Sequence, residues 1–259
     1  MPVSITKNKK DKQTILNLVH QAFPDQEIEK TEELTEGFFN VAYGITLTDG
    51  SEVILKIAPT GDMDVMTHEI NIMYSEVVSM KMIARIKGSR FGYYGQTDKQ
   101  GDNWFTVFRS MLQDTYQDAE RKSINIAVPM EQLLLLLDRD RHIFEQVKEP
   151  SFVHWDIWAG NVFIDEDKIT GIIDFERCLW ADELMEVGFR TCWCEKGFIE
   201  GYGFKELKPD QLIRAEWYDI YLFLICCLEC DYRMYDNRGA YEFGTKMLLE
   251  WVEKKKSNR

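Results

Sequence analysis

The stretch that decides the fold is residues 152–164, with the sequence FVHWDIWAGNVFI. Between its two hydrophobic runs the polar residues follow the spacing His-x-Asp-x4-Asn, given by His154, Asp156 and Asn161. A second aspartate, Asp174, ends the next hydrophobic run, thirteen residues after Asn161. This spacing is typical of a phosphotransferase catalytic loop followed by a metal-binding carboxylate. We call residues 154–161 the catalytic loop.

These residue types suit the chemistry of phosphoryl transfer. A carboxylate at Asp156 can orient an acceptor hydroxyl and take its proton. Amide and carboxylate oxygens at Asn161 and Asp174 are hard ligands of the kind that Mg²⁺ prefers. Any one of the three alone would most simply cap a surface loop, so the prediction depends on their joint spacing.

Upstream residues add a candidate nucleotide site. Lys56 lies in an apolar run where a buried ammonium needs a partner, and Glu69 is a candidate for that partner. The segment LTEGFFNVAY at residues 34–43 could form a strand, turn and strand over phosphates, with Gly37 and Asn40 as candidate contacts. No Gly-x4-Gly-Lys-Ser/Thr motif occurs, which argues against a P-loop enzyme.

Hydrophobic periodicity predicts the elements around these motifs. Helical spacing predicts helices over residues 11–23 and 64–85, from 129 to about 147, and from 211 to 235. Strand patterns occur at residues 38–47, 52–58, 91–94, 104–108, 162–164 and 171–173. The sequence therefore predicts a small helix-and-sheet lobe over residues 1–109 and a mainly helical lobe over residues 110–259.

Composition bounds the function. The 259 residues carry a formal charge of −13, which disfavours nucleic acid as a partner and favours a cationic ligand. The N-terminal segment lacks the apolar run of a secretory signal, and no apolar stretch approaches the length of a membrane span. The six cysteines are then most simply reduced thiols, so we expect a cytoplasmic protein without a membrane partner.

With these residues in place, the chain resembles the aminoglycoside phosphotransferase and choline kinase-like family, which has the protein-kinase-like fold. The resemblance covers about residues 31–187 and continues more loosely through the helical remainder. It implies an α+β fold of two lobes, with ATP or GTP bound between the nucleotide-binding lobe and the lobe that holds the catalytic loop and acceptor site. The strand end at residues 105–111 would be the hinge, with Phe108 and Ser110 near the nucleotide.

The same resemblance implies a role for each motif residue. Asp156 would be the catalytic base, and Asn161 and Asp174 would be the Mg²⁺ ligands. Lys56, held by Glu69, would contact the phosphates.

Three positions depart from the family pattern. Trp155 stands where the family has a small residue between the histidine and the aspartate. Glu176 follows Asp174-Phe175, which separates the chain from protein kinases with their Asp-Phe-Gly. Glu186 stands where the family commonly has a second aspartate that supports the catalytic loop.

The acceptor is expected to be a small hydroxylated molecule that carries positive charge, because the helical part is acidic. An aminoglycoside, choline or another amino alcohol would fit, and a neutral hydroxylated metabolite has less support. A catalytically silent nucleotide-binding regulator is the rival interpretation. The candidate cation-binding carboxylates are Asp182, Glu183, Glu186, Glu195, Glu200, Asp219, Glu229 and Asp231. The sequence leaves the oligomeric state open.

Overall fold

A computed structural model describes residues 8–34, 41–57, 66, 88–157, 161–165, 168–191 and 206–257. The chain divides into two compact units, residues 1–64 with 229–238, and residues 65–228 with 239–259. This division falls earlier in the chain than residues 109–110, where the sequence suggested a boundary. The assignment of nucleotide binding to one part and acceptor binding to the other stays a prediction.

The first unit contains a helix and a three-stranded antiparallel sheet. Helix α1 is Lys12–Ala22, and the strands, in the order β1-β2-β3, are Ile28–Leu34, Val41–Leu47 and Glu52–Ile57. Asp11 caps α1 by accepting a hydrogen bond from the Thr14 amide at 2.8 Å. The predicted helix and the predicted hairpin of two strands are confirmed.

Alternation along β2 explains how this unit closes. The strand buries every second residue, as expected of a strand with one face on a core. Its buried side chains pack with Ile15 and Val19 of α1. The core residues that β2 contributes are Val41, Tyr43, Ile45 and Leu47.

The second unit holds the remaining elements. Its short strands are β4 Gly92–Tyr93, β5 Ser151–Val153, β6 Val162–Asp165, β7 Lys168–Ile172 and β8 Leu179–Ala181. Its helices are α2 Trp104–Arg121, α3 Met130–Arg139, α4 Arg141–Phe144, α5 Pro209–Tyr232 and α6 Gly239–Ser257, although residues 229–238 group with the first unit. The predicted helices after Pro129 and after Gln211 are confirmed, and the predicted helix over 64–85 lies outside the described residues apart from Met66, which is buried.

The pairing of the short strands positions the motif. Strands β4, β8 and β5 form an antiparallel sheet in that order, and β6 pairs with β7. Because Val153 lies opposite Leu179, the strand that enters the catalytic loop runs beside the strand that follows Asp174. Strand β4 therefore belongs to a sheet of the second unit. The sequence had instead suggested that residues 91–94 belong to the N-terminal lobe.

The strand predicted at residues 104–108 is wrong, because this segment begins α2. The Asn103 side chain accepts a hydrogen bond from the Thr106 amide at 3.0 Å and so caps the helix. The α2 face that carries Trp104 and Phe108 is buried against aromatic side chains, including Phe144, whose ring centre is 5.2 Å from that of Phe108. The hinge predicted at residues 105–111 is therefore also wrong.

No helix within the described residues is both long and apolar enough to span a membrane.

Candidate active site

His154 orients the start of the catalytic loop. Its ring is buried, and its Nδ1 accepts a hydrogen bond from the Asp156 amide at 3.2 Å. This contact places the ring proton on Nε2, which donates to the Ile173 carbonyl oxygen at 2.9 Å. His154 therefore ties the loop to the strand end before Asp174, which is a structural role.

Trp155 has a backbone conformation that residues other than glycine seldom adopt. Its φ is +63°, in the left-handed region, where a non-glycine residue costs about 1–2 kcal/mol. The indole is buried and stacks on Tyr221 of α5, with ring centres 5.3 Å apart. The Arg177 guanidinium lies 6.0 Å from the centre of the Trp155 ring. These contacts show how a large side chain replaces the small residue that the family usually has here.

Asp156 lies next to Asn161, as the motif predicted. The Asn161 side-chain amide donates to the Asp156 carbonyl oxygen at 2.8 Å and lies 3.4 Å from the Asp156 carboxylate. Burial raises the pKa of Asp156, and the charges of Arg177 and Arg190 oppose that rise. The negative charge of Asp174 raises the same pKa, which shows that the two carboxylates act on each other.

Asp174 is brought to this loop by backbone pairing. The Ile173 amide donates to the Asn161 carbonyl oxygen at 3.0 Å, directly before Asp174. Asp174 itself has a φ of +71° and precedes a 3₁₀ turn at Phe175–Arg177. The structure thus brings Asp174 to the catalytic loop that contains Asp156 and Asn161, although Asp174 follows Asn161 by thirteen residues.

The donor set fits a hard divalent cation. Because the Asn161 amide nitrogen donates to Asp156, its side-chain oxygen is the atom left to bind a metal, together with the Asp174 carboxylate. Two protein oxygens suit Mg²⁺, which usually also takes ligands from phosphates and water. Within the described residues there is no group of three or more histidine, cysteine or acidic side chains that could hold a metal by itself.

The Glu186 carboxylate supports the catalytic loop by a hydrogen bond to its first residue. It is buried, and its Oε2 accepts a hydrogen bond from the His154 amide at 2.7 Å. Its Oε1 accepts from the Val187 amide at 3.0 Å. Burial raises the pKa of Glu186, and the amide hydrogen bonds work against that rise. The glutamate therefore contacts the catalytic loop from the position where the family commonly has an aspartate.

Two charged residues lie beside the loop: nothing in the sequence indicated Arg190, and Asp219 was indicated only as one of eight candidate cation-binding carboxylates. Arg190 donates to the Trp155 carbonyl oxygen at 3.4 Å, and its charge interacts with both Asp156 and Asp219. Asp219, on α5, accepts from the Thr191 amide at 2.9 Å and from the Thr191 hydroxyl. The only sequence signal was the acidity of this region, which does not show which carboxylate faces the loop.

The predicted nucleotide contacts are only partly described. Lys56 is half-buried on β3, opposite Ala42 on β2. Gly37, Asn40 and Glu69 lie outside the described residues.

Phe108 and Ser110 were assigned to the nucleotide because of the predicted hinge strand. Both lie on α2, and Phe108 is fully buried among aromatic rings. Without the hinge strand, their assignment to nucleotide binding loses its support.

Many of the acidic side chains considered for cation binding have partners within their own unit. Asp182 accepts from Arg214 Nε at 2.6 Å and from the Tyr218 hydroxyl at 2.7 Å. Asp231 pairs with Arg238 at 2.7 Å.

Other candidate cation-binding carboxylates differ in their surroundings. Glu229 lies 3.6 Å from Arg233, whereas Glu183 is exposed. Glu195 and Glu200 lie outside the described residues.

Comparison with known proteins gives a family match. Residues 95–203 match the model of the phosphotransferase enzyme family, and this range contains the catalytic loop and Asp174. A search of curated proteins finds no match to this sequence.

Solved structures show the same fold at low identity. A candidate fructosamine-3-kinase from Thermobifida fusca YX-ER1 is 13% identical, with a TM-score of 0.62, over 93% of this chain and 100% of that chain. A candidate fructosamine-3-kinase from Haemophilus somnus 129PT is 14% identical, with a TM-score of 0.61, over 91% of this chain and 96% of that chain. A thermostable mutant of the aminoglycoside phosphotransferase APH(4)-Ia, bound to AMP-PNP and hygromycin B, is 14% identical, with a TM-score of 0.60, over 93% of this chain and 98% of that chain.

These neighbours show that the chain has the α+β protein-kinase-like fold. The resemblance that the motif residues suggested is thereby confirmed over the matched segment. Residues 95–203 are accordingly similar to the phosphotransferase enzyme family, in a chain that has the fold of its kinase neighbours.

Proposed function

We propose that the protein is a small-molecule kinase, which transfers the γ-phosphoryl group of ATP or GTP to a hydroxyl of a cationic acceptor, most simply an aminoglycoside-type molecule. The observation that carries this proposal is the contact of Asn161 with Asp156, next to Asp174. A half-buried carboxylate beside two residues with oxygen ligands is an arrangement suited to phosphoryl transfer.

Asp156 is the proposed proton acceptor. Its raised pKa makes it a stronger base than an exposed aspartate, while the nearby arginines favour its ionised form. It would hold the acceptor hydroxyl and take its proton as the new bond to phosphorus forms. The hydrogen bond from the Asn161 side chain to the Asp156 carbonyl oxygen fixes the backbone that carries this carboxylate.

Asn161 and Asp174 are the proposed holders of Mg²⁺, through the amide oxygen and the carboxylate. When bound there, Mg²⁺ neutralises charge on the phosphates of the donor. Lys56 is the proposed phosphate contact of the first unit, with Glu69 as its partner.

The class of acceptor is inferred from charge and from the neighbours. A formal charge of −13 attracts cations. The neighbours are described with fructosamine and hygromycin B, both amine-bearing sugar compounds, and AMP-PNP accompanies the latter. Choline or another amino alcohol is the alternative acceptor, since it is also cationic. The proposed location is the cytoplasm, where the four described cysteines would stay reduced.

The test is an assay of ADP or GDP release with Mg²⁺ and ATP or GTP. The acceptor panel contains hygromycin B, other aminoglycosides, choline, amino alcohols and neutral hydroxylated metabolites. We expect acceptor-dependent release that falls by about 10²–10⁴-fold in Asp156→Ala, with nucleotide affinity unchanged. Asp138→Ala is the matched control, because Asp138 is a partly exposed surface carboxylate on α3.

Two results would count against the proposal. Turnover that Asp156→Ala leaves unchanged would remove this residue from the chemistry. Nucleotide binding without release for any acceptor would favour the catalytically silent regulator.

A further inference from the structure

A single 3₁₀ turn, Val187–Phe189, carries opposite charges at its two ends, and both charges reach the catalytic loop. Glu186, before the turn, accepts a hydrogen bond from the His154 amide at 2.7 Å. Arg190, after the turn, donates to the Trp155 carbonyl oxygen at 3.4 Å. The turn therefore holds the His154–Trp155 dipeptide at its first N–H and at its last C=O.

These two hydrogen bonds are needed to stabilise the dipeptide because the Trp155 backbone is in the left-handed region. A residue held there reverts to a commoner conformation unless its surroundings fix it. Since Asp156 directly follows Trp155, a rotation of the Trp155 peptide would move the Asp156 carboxylate away from Asn161. The hydrogen bond to the Trp155 carbonyl oxygen acts at the bond that would rotate.

The guanidinium of Arg190 experiences charges from three elements. Asp156 on the loop and Asp219 on α5 attract it, whereas Arg177, after Asp174, repels it. Asp219 is itself fixed by Thr191, the residue after Arg190. The other carboxylate oxygen of Asp219 has no hydrogen-bond partner among the described residues, so the charge of Arg190 is its compensation.

We propose that Arg190 is a positioning residue, which fixes the Trp155 peptide and thereby the Asp156 carboxylate, while Asp219 anchors the backbone at the next residue, Thr191. Glu186 and Arg190 then act as a pair on opposite ends of one dipeptide. The inference takes from the proposed function only the role of Asp156 as proton acceptor.

The first test is hydrogen exchange, which needs neither acceptor nor nucleotide. The variants are Arg190→Met and Arg190→Lys, and the matched control is Arg109→Met, which removes a partly exposed arginine of α2 that pairs with Asp138. We expect peptides that cover the amides of residues 154–156 to exchange at least about tenfold faster in Arg190→Met. Arg190→Lys should accelerate them less, and Arg109→Met should leave them unchanged.

The second test is the steady-state rate with hygromycin B and the other acceptors of the panel. Misplacing the Asp156 carboxylate should lower kcat by about 10–100-fold in Arg190→Met while the affinity for AMP-PNP stays the same. A merely structural arginine would not lower kcat selectively in protein that binds nucleotide normally.

Wild-type exchange of residues 154–156 in Arg190→Met would overturn the inference. If that variant exchanges faster throughout the second unit, Arg190→Lys decides: faster exchange confined to the loop supports the inference, and wild-type exchange of the loop overturns it. Absence of turnover in the wild-type protein would contradict the proposed function. Hydrogen exchange at residues 154–156 would still test whether Arg190 fixes the loop.

Discussion

Asp219 is an acidic side chain whose burial costs free energy when the carboxylate is ionised. It is only 2% exposed, and one of its oxygens has no hydrogen-bond partner among the described residues. Burial raises its pKa to about 6, although hydrogen bonds from Thr191 and the charge of Arg190 lower it. Because the pKa in the folded protein lies above the ordinary value of 3.8, the native state holds the proton more tightly than the unfolded chain does.

This raised pKa predicts a pH-dependent effect of Asp219→Asn. The stability contributed by the protonated carboxyl is fully present below about pH 4 and is lost as the pH rises through about 6. Asparagine stays neutral throughout, so the variant should gain about 2–3 kcal/mol relative to the wild type between about pH 4 and about pH 8. Chemical unfolding of both proteins at the two pH values measures this gain.

Asp138→Asn is the control, because that carboxylate is partly exposed on the surface. A stability difference between Asp219→Asn and the wild type that does not change with pH would contradict the raised pKa.

At the scale of elements, α6 packs against α5 at a glycine. A Cβ on Gly244 would lie 2.5 Å from the Phe223 carbonyl oxygen and 3.0 Å from the Cys227 sulfur. Contacts of this length with backbone atoms cannot be relieved by turning a side chain. The two helices therefore approach closely because residue 244 has no side chain.

Gly244→Ala should consequently destabilise the protein by about 1–3 kcal/mol, although alanine favours an isolated helix by about 1 kcal/mol. Urea unfolding measures the change in the free energy of unfolding. Lys246→Ala on the same helix, at an exposed side chain, should stay within about 0.5 kcal/mol of the wild type. Equal stability of Gly244→Ala and the wild type would show that the helices can separate without cost.

The helices and strands with strong periodicity could be predicted from the sequence, and α2 could not. Its first five residues, WFTVF, are all aromatic or β-branched, and none of them breaks a strand. A short sequence window therefore favours a strand. The helical period becomes visible only when Met111, Leu112 and Thr115 are included, since all three are buried on the same helix. The Asn103 cap was the local signal that could have corrected the prediction.

The candidate site was predictable where its residues are close in sequence. Asp156 and Asn161 lie five residues apart, so their spacing alone indicated a common loop. Arg190 reaches the Trp155 carbonyl oxygen across 35 positions of sequence, and no periodic pattern records such a contact. Glu186 was noticed as a departure from a family pattern and as a candidate cation-binding carboxylate, but its contact with the His154 amide depends on where the 3₁₀ turn places it.

At the scale of the whole molecule, the acidic balance bears on the acceptor. The formal charge is −13, yet buried carboxylates such as Asp182 and Glu186 serve internal contacts. Attraction of a cationic acceptor would then come from the summed field of the chain as well as from any carboxylate in the site.

Such long-range attraction predicts a dependence on salt. For a cationic acceptor such as hygromycin B, kcat/KM should fall by about 3–10-fold as NaCl rises from about 20 mM to about 200 mM. A neutral acceptor of the panel serves as the control and should change less than about twofold over the same range. If kcat/KM for the cation is insensitive to salt, the net charge plays no part in acceptor capture.

The loop at residues 154–156 is held by residues that the ribosome adds later. Glu186 and Arg190 follow it by about thirty positions, and Tyr221, on which the Trp155 ring stacks, comes later still. Since chains fold progressively as they emerge during synthesis, the nascent protein would carry Asp156 before the residues that hold the Trp155 peptide and ring have been made. If Asp156 is the proton acceptor proposed above, phosphoryl transfer would be withheld from the growing chain until synthesis has passed Tyr221 of α5.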